Sequence, residues 1–290
     1  MAAQSLRPDP LVAVGRPMTD ESTIEVEREL NALRRDLIAE QSALDEIVEG
    51  LSDDDWRRAT PSIGWTIADQ IGHLTYFDSS AATAISDGDT FRVRLNELVE
   101  GATNGGVDAH TLAAFRGLDA RQQLAAWRRA RAELGAAALS LRDATRVPWY
   151  GPTMSAKSFL SARLMETWAH GTDVADALRV QRSATDRLRH VAQLGFITRK
   201  WSYLVRGEEL PAGDVRLELT SPSGQLWTWG QEDADDTITG PAEEFCLVVT
   251  QRRHVGDTSL TTGDLGYHWL VRAQAFAGPA TDGPTPRSAA

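Results

Sequence analysis

The chain has 290 residues, 42% of them apolar, with 41 acids against 30 bases and a single cysteine. A length of this order buries a core without disulfide staples. A formal net charge of −11 argues against the clustered basic footprint of a nucleic-acid binder or an anionic-membrane binder. Cys246 has no partner for an internal disulfide and no CxxC zinc site, so the chain reads as a cytoplasmic protein of a reducing compartment. Any metal it holds must then be bound by His, Asp or Glu.

Residues 1–20 lack the apolar core of a signal peptide and read as a disordered leader, and no run approaches the roughly 18 apolar residues of a membrane span. From Ser22 to Leu51, Leu30, Leu33, Leu37, Leu44, Ile47 and Leu51 keep a three-four spacing that predicts a long amphipathic helix. After the turn around Pro61 and Gly64, a second helix is expected from Trp65 to about Ile85, followed by a Gly/Asn-rich break at Gly101 to Gly106. A third runs from Asp119 to Leu141, with Leu124, Trp127, Leu134, Ala138 and Leu141 on one face. The loop Val147-Pro148-Trp149-Tyr150-Gly151-Pro152 cannot continue a helix, and Ser155 suits the N-cap of a fourth helix reaching Val180. A fifth is expected over Thr185–Arg206. Long helices with short joints point to an antiparallel helical bundle over residues 21–208.

The pattern then changes. Val215-Arg216-Leu217-Glu218-Leu219 alternates with period two, Ser221 to Gly224 supplies a turn, and Gln225–Trp229 returns as the partner strand. A short strand at Thr237–Thr239 leads into Gly240-Pro241 and a helix to Arg253. A last helix spans Leu265–Ala277. Residues 209–278 therefore form a small α/β domain, giving an α plus α/β fold, with 279–290 a disordered tail.

Of six histidines, His110 and His190 read as solvated, His254 and His268 fall in the small domain, and His73 and His170 are informative. Glu166, His170 and Asp173 lie at i, i+4 and i+7, so they project within about 60° of one another on one helix. On the second helix His73 shares its face with Asp69 and is flanked by Tyr76 and Phe77, which would wall the imidazole. Should the two helices be neighbours, His73, Glu166 and His170 form a two-histidine, one-carboxylate set with open positions, suited to zinc or another divalent metal. Leu160, Leu164, Trp168, Ala175 and Leu178 lie opposite the stripe, so a plain solvated face is the competing reading. Trp149, Tyr150 and Met154, just before the fourth helix, are either a pocket wall or packed core.

Gly64-Trp65-Thr66-Ile67-Ala68-Asp69-Gln70-Ile71-Gly72-His73-Leu74 resembles the W-(S/T)-x-x-D-x-x-(A/G)-H-L motif of the DinB-like, mycothiol-dependent maleylpyruvate isomerase family. Glu166 to Ala175 is similar to that family's E-x-x-x-H-x-x-D-x-A motif, and Asp236 to Phe245 to the entry of its small C-terminal domain. The resemblance implies a DinB-like four-helix bundle and assigns His73, Glu166 and His170 as ligands of a divalent metal, zinc foremost. Asp69 and Asp173 become candidates for accepting a ring N–H from a ligating histidine. Where relatives read L-W-G-R, this chain has Val249-Thr250-Gln251-Arg252-Arg253-His254, with Arg252 at the arginine position.

The expected activity is that of a metal-dependent enzyme that presents a low-molecular-weight thiol, mycothiol where the resemblance holds, as a metal-bound thiolate to a small electrophilic substrate. Isomerisation and thiol transfer are both open, and Arg252 or Arg253 is the catalytic-site candidate for a substrate carboxylate. The alternative for both arginines is the capping of last-turn carbonyls. Cys246, in an apolar run, is expected to be buried and outside the chemistry. Two rivals stay open: a thiol-independent metal-dependent hydrolase, lyase or cyclase, and a non-catalytic metal-binding protein.

Overall fold

The computed structural model describes residues 20–287, so the expected leader, Asp20 apart, lies outside the described residues. The first periodic segment forms α1 (Asp20–Val48), with Leu30, Leu33, Leu37 and Leu44 buried. The one-turn α2 (Asp53–Trp56) and α3 (Ile67–Ser86) each start at a capping box, Ser52 with Asp55 and Thr66 with Asp69. A third box, Asp119 with Gln122, opens α6 (Ala120–Ala138). Ser155 caps α7 (Ala156–Leu178), after the two-residue strands β1 (Arg146–Val147) and β2 (Met154–Ser155).

Between α3 and α6 lie α4 (Gly88–Gly105) and α5 (Val107–Leu112), where a break was expected. Phe91 and Leu98, two turns apart, are both buried and hold α4 helical through the Gly/Asn-rich stretch. The chain turns only at Gly106, whose φ of 90° a side chain would resist. The fifth expected helix is two, α8 (Leu188–Ile197) and α9 (Arg199–Leu204). Thr198 ends α8 by turning its hydroxyl onto the carbonyls of Leu194 (2.8 Å) and Gly195 (3.0 Å).

In this helix-rich body α1 packs on α7, and α3 packs on both α6 and α7. One carboxylate ties the four together. Asp78 of α3, 0% exposed, accepts hydrogen bonds from Arg163 of α7 (2.8 Å), Gln41 of α1 (3.3 Å) and Trp127 of α6 (3.3 Å). Unpaired, such a buried charge would cost several kcal/mol.

The C-terminal sheet has β3 (Val215–Thr220) at its centre, antiparallel to β4 (Leu226–Trp229) and parallel to β5 (Asp236–Pro241). Val215, Leu217 and Leu219 alternate inward, under α10 (Ala242–Val249). α10 packs on α8, which packs on α7, so the small domain is seated on the helical body. Gly195 makes this approach possible, because a Cβ there would come within 2.8 Å of Val249. After a 3-10 turn at Val255–Asp257, α11 (Asp264–Leu270) ends earlier than the expected Ala277. The Ala275 amide leaves the helical path to donate to the Val249 carbonyl at 2.9 Å.

Of the tail expected to be disordered over 279–290, residues 288–290 lie outside the described residues, and the part up to residue 287 makes hydrogen bonds to the small domain. Pro279 and Thr281 bond to Gln274, Thr281 also to Gln251, and the Arg287 amide to Asp257. Among the described residues no helix is long and apolar enough to cross a membrane.

Candidate metal centre

The site starts from the pairing of α3 with α7. Both flanks of α7 are buried, with His170 8% and Asp173 3% exposed, which overturns the solvated-stripe reading. The carboxylate oxygen Oε2 of Glu166 lies 3.2 Å from His170 Nε2 and 3.5 Å from His73 Nε2, and the three ligand atoms all fall within 4.8 Å of one another. Four atoms placed tetrahedrally at about 2.0–2.2 Å from a zinc stand roughly 3.3–3.6 Å apart, so the spacing and donor types fit a divalent cation. Three protein donors leave an open position.

The orientation of His170 is enforced from behind. Gln70 of α3, fully buried, spends its amide N–H groups on the Thr60 hydroxyl (2.9 Å) and on Asp173 (3.3 Å). Its carbonyl oxygen therefore faces His170 and accepts from Nδ1–H, leaving Nε2 unprotonated toward Glu166. Asp173 in turn accepts from Ser62 (3.0 Å) and Arg252 (2.9 Å). The Trp65 indole stacks on His170 with ring centroids 5.9 Å apart, and Phe77 packs on His73 at 4.5 Å.

Burial, with the neighbouring His73 and Arg252, pulls the His170 imidazole down to about 4 despite Glu166 beside it, so it is neutral near pH 7. Burial alone would raise the Glu166 carboxyl, but the two histidines beside it outweigh burial and hold it well below the usual carboxylate range. A neutral imidazole and an ionised carboxylate are the forms that bind a metal.

A cavity of about 360 Å³ opens on these atoms, walled by Phe77, Trp149, Tyr150, Arg163 and Met165 from the helical body and by Thr250, Arg252 and Phe276 from the small domain. Tyr76 does not reach it: it lines a separate hollow with Thr75, Ser79, Arg94 and Phe115, because the residue after it, not Tyr76 itself, turns toward His73. Asp69 is also elsewhere. Its carboxylate accepts from the Thr66 amide (2.9 Å), the Thr66 hydroxyl (2.7 Å) and Arg116 (3.0 Å), so its bonds serve the start of α3 and no histidine ring. Gln70, one residue on, takes the part expected of Asp69.

Arg252 faces the cavity, but one terminal nitrogen donates to Asp173 and the other to the Thr250 carbonyl (2.7 Å), so its charge is already matched by an acid of the chain. Arg253 lies on the far side of α7, in a hollow with Glu40, Asp176 and Glu243. Cys246 is buried and burial pushes its thiol up, away from thiolate chemistry. Gln70 and Arg163 were missed from sequence; the one signal for Gln70 was its position one turn before His73.

Comparison with known proteins follows the same division. Residues 37–175 match the family model of the mycothiol maleylpyruvate isomerase N-terminal domain, and residues 211–263 match a model described as wyosine base formation. Two uncharacterized proteins, from two strains of Mycobacterium tuberculosis, are each 44% identical over 245 residues, spanning 84% of this chain and 95% of the relative. The crystal structure of the mycothiol-dependent maleylpyruvate isomerase superposes with a TM-score of 0.54 at 17% identity, covering 88% of this chain and 96% of that one. A mutant of that enzyme gives 0.53 at 16% identity over the same shares, and at such identity the likeness concerns the fold. Residues 37–175 of the chain belong to the mycothiol maleylpyruvate isomerase N-terminal domain family.

Proposed function

We infer that this protein is a metal-dependent, thiol-using enzyme acting on a small electrophile, with His73, Glu166 and His170 as the ligands. The observation that carries the reading is the convergence of two imidazole nitrogens and one carboxylate oxygen on an open cavity. We take α1, α3, α6 and α7 as a DinB-like antiparallel four-helix bundle over residues 21–208, with residues 209–278 as the α/β domain that closes the cavity. The buried cysteine and the absence of a membrane-length helix among the described residues support a cytoplasmic setting.

A divalent cation, zinc foremost, held by these three residues would supply Lewis acidity and lower the pKa of a thiol in the open position. The chain does the rest. Gln70 fixes the His170 tautomer, and Asp173, clamped by Arg252 and Ser62, keeps Gln70 from turning over. Trp65, Phe77, Trp149 and Phe276 keep water from the reacting atoms. The thiol itself comes from a cosubstrate, mycothiol by family, since Cys246 cannot reach the cavity. Addition of sulfur to a conjugated double bond moves the π pair onto the carbonyl, the carbon–carbon bond rotates, and elimination of sulfur returns the pair and the thiol. Isomerisation therefore consumes no cosubstrate.

The test is thiol dependence. Mycothiol added to cobalt-substituted protein should give a sulfur-to-cobalt charge-transfer band, and a cis-configured conjugated carbonyl should isomerise only with the thiol present. No band, with turnover indifferent to thiol, would replace this reading with thiol-independent hydrolysis or elimination at the same residues.

A further inference from the structure

A second cavity of about 250 Å³ lies against the first, and six residues wall both: Trp149, Arg163, Met165, Glu166, Phe276 and Ala277. Beyond that shared wall the lining is apolar, from Met154, Phe159, Ala162, Leu194 and Trp201, apart from Thr198, whose hydroxyl is spent on the Leu194 and Gly195 carbonyls. The side cavity therefore begins at the carboxylate of the candidate centre and leads away from it into hydrophobic surroundings.

Arg163 stands where the two meet and is 3% exposed. Its Nε (3.2 Å) and one terminal nitrogen (2.8 Å) both donate to Asp78, while among the described residues the other terminal nitrogen has no hydrogen-bond partner. A donor that opens on the cavity without a protein partner can be met by an acceptor on a ligand. The charge of Arg163 is matched by Asp78, and that of Arg252 by Asp173 at 2.9 Å. Neither guanidinium has spare charge for a carboxylate, so apart from a cation held at the centre itself the lining gives a ligand with two carboxylates little to offset its desolvation.

Resting on the thiol-dependent reading above, we propose that the electrophile is an uncharged carbonyl compound with an apolar arm. Its oxygen accepts from the free nitrogen of Arg163, and its arm fills the side cavity past Ala162. Held so, the carbonyl end of a conjugated system lies beside Glu166 and faces the open position of the centre. The substrate class thus differs from that of a dicarboxylate-specific enzyme.

The experiment is a binding series with 2-alkanones from 2-butanone to 2-octanone, by calorimetry, on both zinc-loaded and chelator-stripped protein. Affinity should rise about fourfold per added methylene until the cavity is full, equally in both forms. Maleate, the dianionic control, should bind more weakly than 2-octanone to the stripped protein. Ala162→Phe, which fills the side cavity, should abolish the chain-length dependence while short ketones still bind. Ala162→Leu should cut it off at a shorter chain, which tests the same point should the larger ring disturb folding. A flat series in the parent, a series unchanged by both variants, or maleate binding tighter than 2-octanone would overturn the proposal. Because the stripped protein gives the same series, loss of the thiol chemistry would leave this result standing, and the reverse.

Discussion

The carbonyl oxygen of Gln70 accepts a hydrogen bond from Nδ1 of His170, across the contact between α3 and α7. The bond decides which imidazole nitrogen is left for a cation, and Gln70 cannot turn over without losing Thr60 and Asp173. Partners of this kind are worth 10–100-fold in metal affinity. Gln70→Leu should therefore weaken zinc binding by about that factor with an unchanged far-UV circular dichroism spectrum. Unaltered affinity would show that His170 needs no help in choosing its tautomer.

Asp78 is the polar centre of the helical body, with partners on α1, α6 and α7. Removing one member of a buried pair leaves the other charge stranded, typically at about 3–5 kcal/mol. Asp78→Ala should lower the stability measured by urea unfolding by that amount, because Arg163 has no other acidic partner among the described residues. A loss below about 1 kcal/mol would mean that water reaches Arg163 from the cavity.

Asp69 gives the pH dependence. Burial alone would raise its carboxyl, but the Thr66 amide and hydroxyl and Arg116 outweigh burial and hold it below the ordinary value. A depressed folded pKa means that the contribution is complete above the unfolded value of about 3.9 and is lost as pH falls through the folded one. Asp69→Ala should cost about 1 kcal/mol at pH 7 through the hydrogen bonds it removes, with the gap to the parent closing as the pH drops below about 4. A gap independent of pH would show that the carboxylate's charge contributes nothing.

Cys246 packs in the α10 interface with its thiol directed at the Leu188 carbonyl, 3.6 Å away. With the thiol buried and its pKa raised, native protein should leave Ellman's reagent almost untouched, and one equivalent should react on unfolding. Fast reaction under native conditions would show that α10 opens locally.

Much of this architecture could be read from residue spacing. The leucines of α1, the cap at Ser155 and the β3 alternation are local signals, and local signals survive folding. What failed was non-local. Glycine and asparagine content masked α4 because its helix rests on two buried side chains, Phe91 and Leu98, that only tertiary packing rewards. Likewise, the stripe of Glu166, His170 and Asp173 looks the same in sequence whether it meets water or α3. Asp69 and Gln70 are adjacent, and only the register of α3 against α7 decides which of them reaches the histidine.

The account stands on His73, Glu166 and His170 sharing one cation, and a cobalt(II) titration of chelator-stripped protein measures that sharing. The parent should saturate at one equivalent with the visible absorption of a low-coordinate site, and His73→Ala should lose that absorption while keeping its helical signal. Equal stoichiometry and an identical spectrum in His73→Ala would contradict the account, because the metal would then be held somewhere else.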